Sequence, residues 1–321
     1  VSIVRAALVL TLAFTLVACG SSTTPAGEES RTPATEVIDP AKAETTFVSL
    51  WNSVRAGQTD RLEEEPARFV GEMLEAYAGL RTNPAGDVLV GVPRGQASYP
   101  AYFVATANAP MGDDRTNYFI CLLGRASEDD PWMLRYVHFA TSPGHPPAPD
   151  VSSDGYLADL PAVDELAFDP TSAADRYANW FNSSTRAQRL VTDEVLTSGR
   201  TSGGIIRHYA EDLAGSREGR TIFRRYVATP RQIFEIIPLV DGTLWVPFSV
   251  DVVFNAFNNN IAQAQSCADH WLVRDDDGVH YQTLSSEERI YAHVLIPSPG
   301  ETAEVIDNVS LTLSSDNVPC P

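Results

Sequence analysis

One pattern of residues occurs twice in this chain, in the same order, and it limits the fold more than any other feature. Phe47, Leu50, Trp51 and Val54 fall at i, i+3, i+4 and i+7, the spacing that lines one face of a helix with apolar side chains. Tyr177, Trp180 and Phe181 repeat the start of that pattern, and Asn-Ser follows in both places, as Asn52-Ser53 and Asn182-Ser183. Residues 71–78 (GEMLEAYA) match residues 203–210 (GGIIRHYA) as Gly-x-apolar-apolar-x-x-Tyr-Ala. Residues 99–109 (YPAYFVATANA) match residues 246–256 (VPFSVDVVFNA), with Pro second, apolar residues at alternate positions and Asn-Ala at the end. Alternation of this kind buries one face of a strand, and a proline is tolerated near a strand's start, where a ladder donor can be absent. An acidic hairpin follows each strand. The first runs from Leu123-Gly124-Arg125 through ASEDDP to WMLRYVHFA; the second runs from Leu272-Val273-Arg274 through DDDG to VHYQTL. The offset between copies grows from 130 to 149 residues along the chain, so the loops differ in length.

Each copy therefore reads as helix, helix and several antiparallel strands. That is an α+β unit in which a helical layer covers one face of a curved sheet. The expected architecture is two tandem α+β domains, residues 44–141 and 172–321, joined by residues 142–171. The order of elements resembles the cone-shaped fold of nuclear transport factor and its relatives, or a cystatin-like sheet wrapped on a helix. The second copy carries additional strand-like runs at 220–228, 232–240 and 290–297, with 303–315 expected to add a final edge. Between the copies, TSPGHPPAPD (141–150) is too rich in proline for a helix or a central strand. The next twenty residues are acidic and turn-rich, but Tyr156, Leu157, Leu160, Leu166 and Phe168 call for burial, so a packed connector is expected.

The start of the chain carries an address. Arg5 precedes a run from Ala6 to Val17 interrupted only by Thr11 and Thr15. That is about a dozen apolar residues, where a membrane-spanning helix needs about 20. A charged start, a short apolar stretch and small residues at the end read as a secretory signal over residues 1–18. Leu16-Val17-Ala18-Cys19-Gly20 resembles the lipobox of bacterial lipoproteins, which implies lipidation of the Cys19 thiol and cleavage just before it. Each buried methylene of such an anchor contributes about 0.8 kcal/mol, and two or more chains hold a protein stably. Residues 19–43 are dominated by Ser, Thr, Pro, Gly and Glu and read as a disordered tether. A tether of that kind spans roughly 25 Å on average. The expected location is the extracytoplasmic face of the cell membrane, with the membrane as partner through the lipid anchor.

Composition narrows the partners further. The net charge is −19, and such a surface repels nucleic acid and anionic lipid headgroups, so no nucleic-acid role is expected. Lys42 is the only lysine. Beyond Cys19, Cys121 lies in the apolar run YFICLLG and reads as a buried free thiol, whereas Cys267 and Cys320 lie near loop-like stretches and are expected to form a disulfide. The chain as a whole resembles an uncharacterised family of actinobacterial lipoproteins that share a domain of unknown function. The residues behind that resemblance are the lipobox, the Arg-for-Lys bias, SSDGYLADLP (152–161) and TDEVLTSGRTSG (192–203). It implies surface anchoring and supplies no catalytic residue.

Signatures of chemistry are sparse. SGRTSGG (198–204) is not the Gly-x-Ser-x-Gly nucleophile elbow; Thr201 or Ser202 reads instead as the cap of a helix carrying Ile205, Ile206 and Tyr209. None of His138, His145, His208, His270, His280 and His293 stands at ligand spacing from another His or Cys, and neither a metal nor a cofactor is expected. Asp251 interrupts FSVDVVF on the face opposite Phe248, Val250, Val252 and Phe254. In a cone fold it would point into a pocket where burial raises a carboxyl pKa; on an ordinary antiparallel strand it would face water. Asp251, His208 and Tyr209 form the candidate pocket set. Glu128-Asp129-Asp130 and Asp275-Asp276-Asp277 lack the spacing of a calcium loop and read as solvated hairpin tips. The expected function is a non-enzymatic, membrane-tethered module that binds a protein, cell-wall or small apolar partner. A carrier holding a small apolar molecule in a cone pocket, and an acid–base enzyme using Asp251 with a histidine, are the alternatives.

Overall fold

A computed structural model describes residues 36–63, 87–110, 116–141, 147–198, 205–210, 222–258 and 281–319, all within one compact unit, Glu36–Pro321. Its first element is α1 (Pro40–Arg55). Asp39 caps it by accepting a hydrogen bond from the Lys42 amide, and Pro40 occupies the first turn, where its missing N–H is no loss. Phe47, Leu50, Trp51 and Val54 are all buried, as the helical spacing predicts. The folded chain starts earlier than composition implies. Ile38 and Ala43, inside the stretch read as tether, are both in the core. A single isoleucine and an Asp-Pro cap are local signals that average composition does not register.

The first sheet is an antiparallel meander of β1 (Leu89–Gly91), β2 (Ala101–Pro110), β3 (Thr116–Arg125) and β4 (Met133–Thr141), in that order. Phe103, Ala105, Phe119, Cys121 and Leu123 face α1 and join its core. Val104, Ile120, Leu122 and Tyr136 belong to a different cluster on the opposite face. A bulge between Leu122 and Leu123 leaves Arg135 as the extra residue on β4, which keeps both Leu134 and Val137 on the α1 side.

The second half holds α2 (Ala173–Ala187), β5 (Leu196–Ser198), β6 (Ile222–Ile233), β7 (Ile237–Pro238), β8 (Leu244–Asn258), β9 (Tyr281–Ile296) and β10 (Ala303–Pro319). Residues 205–210 add a short helical segment. The sheet order is β5-β10-β9-β8-β6, with β7 also paired to β8. Tyr177 and Phe181 of α2 pack on Phe248, Val250, Ile290, Ala292 and Val294. The run at 303–315 is an outer strand over only part of its length: beyond Val305 it pairs, among the described residues, with β9 alone, while the three-residue β5 pairs in parallel with Ala303–Val305 and takes the outer position there. So short a strand has no periodicity to read. Tyr281–Leu284 open β9, which pairs with β8, so this part of VHYQTL holds the sheet position of β3 rather than that of β4. Leu272–Arg274, residues 71–78 and the candidate caps Thr201 and Ser202 lie outside the described residues.

The two sheets meet face to face. Val104, Ile120, Leu122 and Tyr136 from the first pack with Phe234, Ile237, Trp245 and Tyr291 from the second in one apolar cluster. The layers thus run helix, sheet, sheet, helix, an α+β arrangement. The connector is stitched to both sides: Leu157 N–H donates to the Val92 carbonyl and Asp150 N–H to the Pro238 carbonyl. Leu157, Leu166 and Phe168 are buried as expected, but Leu160 is exposed. Gly155 turns the connector with φ +88°, and a Cβ there would stand 2.5 Å from Pro40 Cβ, so both conformation and space require glycine.

Strands β6 and β8 handle missing and unpaired backbone groups in two ways. Pro247 lies inside β8 rather than at its start, at the break between β6 and β7; its carbonyl accepts from Phe234 N–H on that side, so its missing donor faces an interruption in the ladder. Strand β6 is an outer strand of its sheet, and the Asn182 side chain occupies part of its open edge. Asn182 Nδ2 donates to the Ala228 carbonyl and its Oδ1 accepts from the Ala228 amide, both at 2.8 Å. One side chain thus mimics a neighbouring strand at the point where an unpaired edge would be exposed.

Candidate functional site

Asp251 is engaged on both oxygens. It stands directly across from Arg289 on β9. Arg289 Nε donates to Oδ1 at 2.6 Å and its Nη2 to Oδ2 at 3.3 Å, while Arg231 Nη1 reaches Oδ2 at 3.3 Å. This fork geometry is the strong form of a carboxylate–arginine pair. Burial alone would lower the Arg289 pKa, but the Asp251 carboxylate holds it above the ordinary arginine value. Both carboxylate oxygens are thus engaged by guanidinium groups.

Tyr209 and His208 are elsewhere. Alternation along β8 puts Asp251 on the face toward the other sheet, whereas Tyr209 packs with the α2 core on the opposite face. The Tyr209 ring contacts Phe181 and Tyr226, and its hydroxyl donates to the Glu288 carboxylate. His208 is exposed beside it. The three residues grouped from sequence therefore do not converge on one cavity.

A pair the sequence did not suggest lies between the sheets. His138 of β4 and His293 of β9 meet with ring centroids 4.3 Å apart, both buried. Tyr136 Oη lies 3.4 Å from His293 Nδ1, and Trp245 packs against the same imidazole. His293 Nε2 and Trp245 Nε1 have no hydrogen-bond partner among the described residues. Burial, with His138 alongside, holds the His293 pKa well below its ordinary value. A signal was present: Tyr136-Val137-His138 and Tyr291-Ala292-His293 repeat Tyr-x-His in two strands, and period two puts both members on one face. Among the described residues no group of three or more His, Cys, Asp or Glu could hold a metal ion.

An open cleft of about 540 Å³ lies where α2 passes over the outer strand β6. Its walls carry Asn179, Asn182, Ser183 and Arg186 from α2, a stripe at i, i+3, i+4 and i+7 opposite to the buried one, together with Arg225 and Tyr226 from β6. Gln188, the helix C-cap, closes one end in the left-handed region at φ +57°, the one non-glycine residue with positive φ among the described residues. The repeated pattern includes Asn182-Ser183 of this wall, but it did not mark them as a site, because the lining stripe is polar and reads as a wet helix face.

The cysteines divide cleanly. Cys121 is buried against α1, and burial raises its thiol well above the ordinary value, leaving it unreactive. Cys19, Cys267 and Cys320 lie outside the described residues. Glu128, Asp129 and Asp130 form an exposed turn whose carbonyls at 128 and 130 accept from Arg125; Asp275–Asp277 lie outside the described residues. Comparison with protein-family models and with curated proteins gives no match to this chain.

Proposed function

We propose that this protein is a lipid-anchored extracytoplasmic lipoprotein whose folded part binds a ligand without transforming it. The observation that carries the binding reading is the closed ion pair of Asp251 with Arg289 and Arg231. The carboxylate that would serve acid–base chemistry is already neutralised, and no histidine described stands beside it. The buried imidazoles pack against aromatic rings between two sheets, a structural setting. The lipobox at Leu16–Cys19 supports the anchor, and the resemblance to actinobacterial lipoproteins supports surface exposure.

The chain is, in this reading, a doubled unit of two tandem domains. Helix α1 with the order β1-β2-β3-β4 corresponds to α2 with β6-β8-β9-β10, and β5 is an addition on the far edge. The matched runs 99–109 and 246–256, which fall on the counterpart strands β2 and β8, support the doubling; the two Tyr-x-His motifs lie on β4 and β9, which are not counterparts. The cone-shaped or cystatin-like likeness of each unit rests on the same element order. Asn182 limits how far the copies share a role: its counterpart Asn52 is exposed on α1.

The test is expression of the full chain in a bacterium that processes lipoproteins, with intact-mass measurement of the membrane fraction. A diacylglyceryl-type mass increase on Cys19, lost with release of the protein in Cys19→Ala, is the expected result. An unmodified Cys19 in the membrane fraction overturns the anchor. Turnover in a broad hydrolase and isomerase screen, abolished by Asp251→Asn with the fold intact, overturns the binding reading.

A further inference from the structure

We propose that the cleft between α2 and β6 is a binding site for a saccharide bearing a carboxylate or phosphate; this rests on the binding reading above and specifies its ligand class. Three features point the same way. The first is charge. The chain carries a net charge of −19, yet among the described residues the charged side chains lining this cleft are Arg186 and Arg225, with no carboxylate. Neither guanidinium makes an ion pair among the described residues. Arginine is the side chain whose planar fork matches carboxylate and phosphate oxygens.

The second feature is the rest of the lining. Asn179, Gln188 and Ser183 offer amide and hydroxyl groups, each able to donate and accept, which is the complement of a ring of sugar hydroxyls. The volume, about 540 Å³, falls in the range of small-molecule sites and exceeds what a bare anion needs. Tyr226 also lines the cleft, its ring held between Phe254 at 4.6 Å and Tyr209 at 4.8 Å.

The third feature is rigidity. Asn182 is fixed by its two bonds to Ala228, which ties α2 to β6 and sets the width of the cleft. Gln188 occupies a left-handed conformation where glycine is the ordinary helix terminator. A strained backbone retained at a cleft wall, with a polar side chain kept where glycine would fit better, is a mark of a functional position. Arg186 also lies in the last turn of α2, where a cation suits the helix dipole; that role accounts for one arginine but not for Arg225 on the facing strand.

The experiment is a titration of the purified full chain, followed by NMR of the added compound. The probes are D-glucuronate, glucose 6-phosphate, neutral glucose and sulfate. The charged sugars are expected to bind saturably, at least about tenfold tighter than glucose or sulfate, a difference of about 1.4 kcal/mol. The double variant Arg186→Ala/Arg225→Ala is expected to lose at least that tenfold with an unchanged melting temperature. Absence of saturable binding, equal binding of glucose, or undiminished binding by the double variant overturns the site. Sulfate binding as tightly as the sugar anions reduces it to a simple anion site and overturns the saccharide assignment. Conversion of a bound sugar into a new species leaves the site standing and removes the non-enzymatic reading, whereas loss of binding alone removes the site and leaves that reading in place. A polymer of glucuronate added as a further arm distinguishes a free sugar from a cell-wall glycan: tighter binding than the monomer assigns the polymer, equal or weaker binding the free sugar.

Discussion

Two buried polar groups behave in opposite ways. Arg289 is almost wholly buried, and Asp251 compensates its charge. Removing one partner of such a pair leaves an uncompensated charge and costs about 3–5 kcal/mol, while replacing both by apolar residues of similar size is often neutral. Asp251→Ala is therefore expected to lower unfolding stability by about 3 kcal/mol in a urea titration, and Asp251→Leu/Arg289→Met to recover most of it. A double variant as unstable as the single one contradicts the ion-pair account. His293 has the reverse logic. Its folded pKa lies below the unfolded value of about 6.5, so the unfolded chain takes up the proton first. Its contribution is intact above pH 6.5 and is lost as pH falls from there toward the depressed folded value. His138, Tyr136, Tyr291 and Trp245 face it, and none carries the opposite charge that would stabilise an imidazolium. Stability should fall by up to about 2 kcal/mol between pH 6.5 and 5, and His293→Leu should flatten that part of the curve. Neither pairing was legible locally. Asp251 and Arg289 are 38 residues apart, and His138 and His293 belong to different sheets.

Elements were legible where their signals are local. The stripe Phe47, Leu50, Trp51 and Val54 and the alternation in β2 and β8 each sit within a dozen residues, and burial followed them. What escaped depends on neighbours brought from a distance. The three-residue β5 becomes a strand only because β10 lies beside it, and Asn182 becomes an edge cap only because β6 passes beneath α2. Each hydrogen bond of that cap is worth about 0.5–1.5 kcal/mol, so Asn182→Ala should cost about 1–3 kcal/mol. Hydrogen exchange should show loss of protection at the Ala228 amide. Asn52→Ala, on an exposed helix face, should stay within about 0.5 kcal/mol of the parent. An equal effect at the two sites contradicts the asymmetric role of the two asparagines. The cleft was invisible for a related reason. Its polar stripe on α2 has the composition of any wet helix face, and only the strand opposite makes it concave.

At the scale of the whole molecule, the sheet-to-sheet cluster couples the two halves. Trp245 sits in it fully buried, against Tyr136 of the other sheet at 5.6 Å. Truncating a buried tryptophan costs about 3–5 kcal/mol, and here the loss falls on the contact between halves. Trp245→Ala is expected to resolve one cooperative transition into two, with the second half melting first; a single transition, merely shifted, contradicts independent halves. The layers place α2 and its cleft on the outer side of the second sheet, away from that cluster, so a ligand can be held there without parting the sheets. A lipid anchor at one end and a polar ligand held unchanged at the cleft are the two halves of the proposed role. Native mass spectrometry of the chain taken from bacterial membranes reads both in one spectrum. An acylated Cys19 is expected, together with a co-isolated acidic saccharide mass that is absent in Arg186→Ala/Arg225→Ala. An unacylated chain, or a bound mass that persists in the double variant, would contradict it.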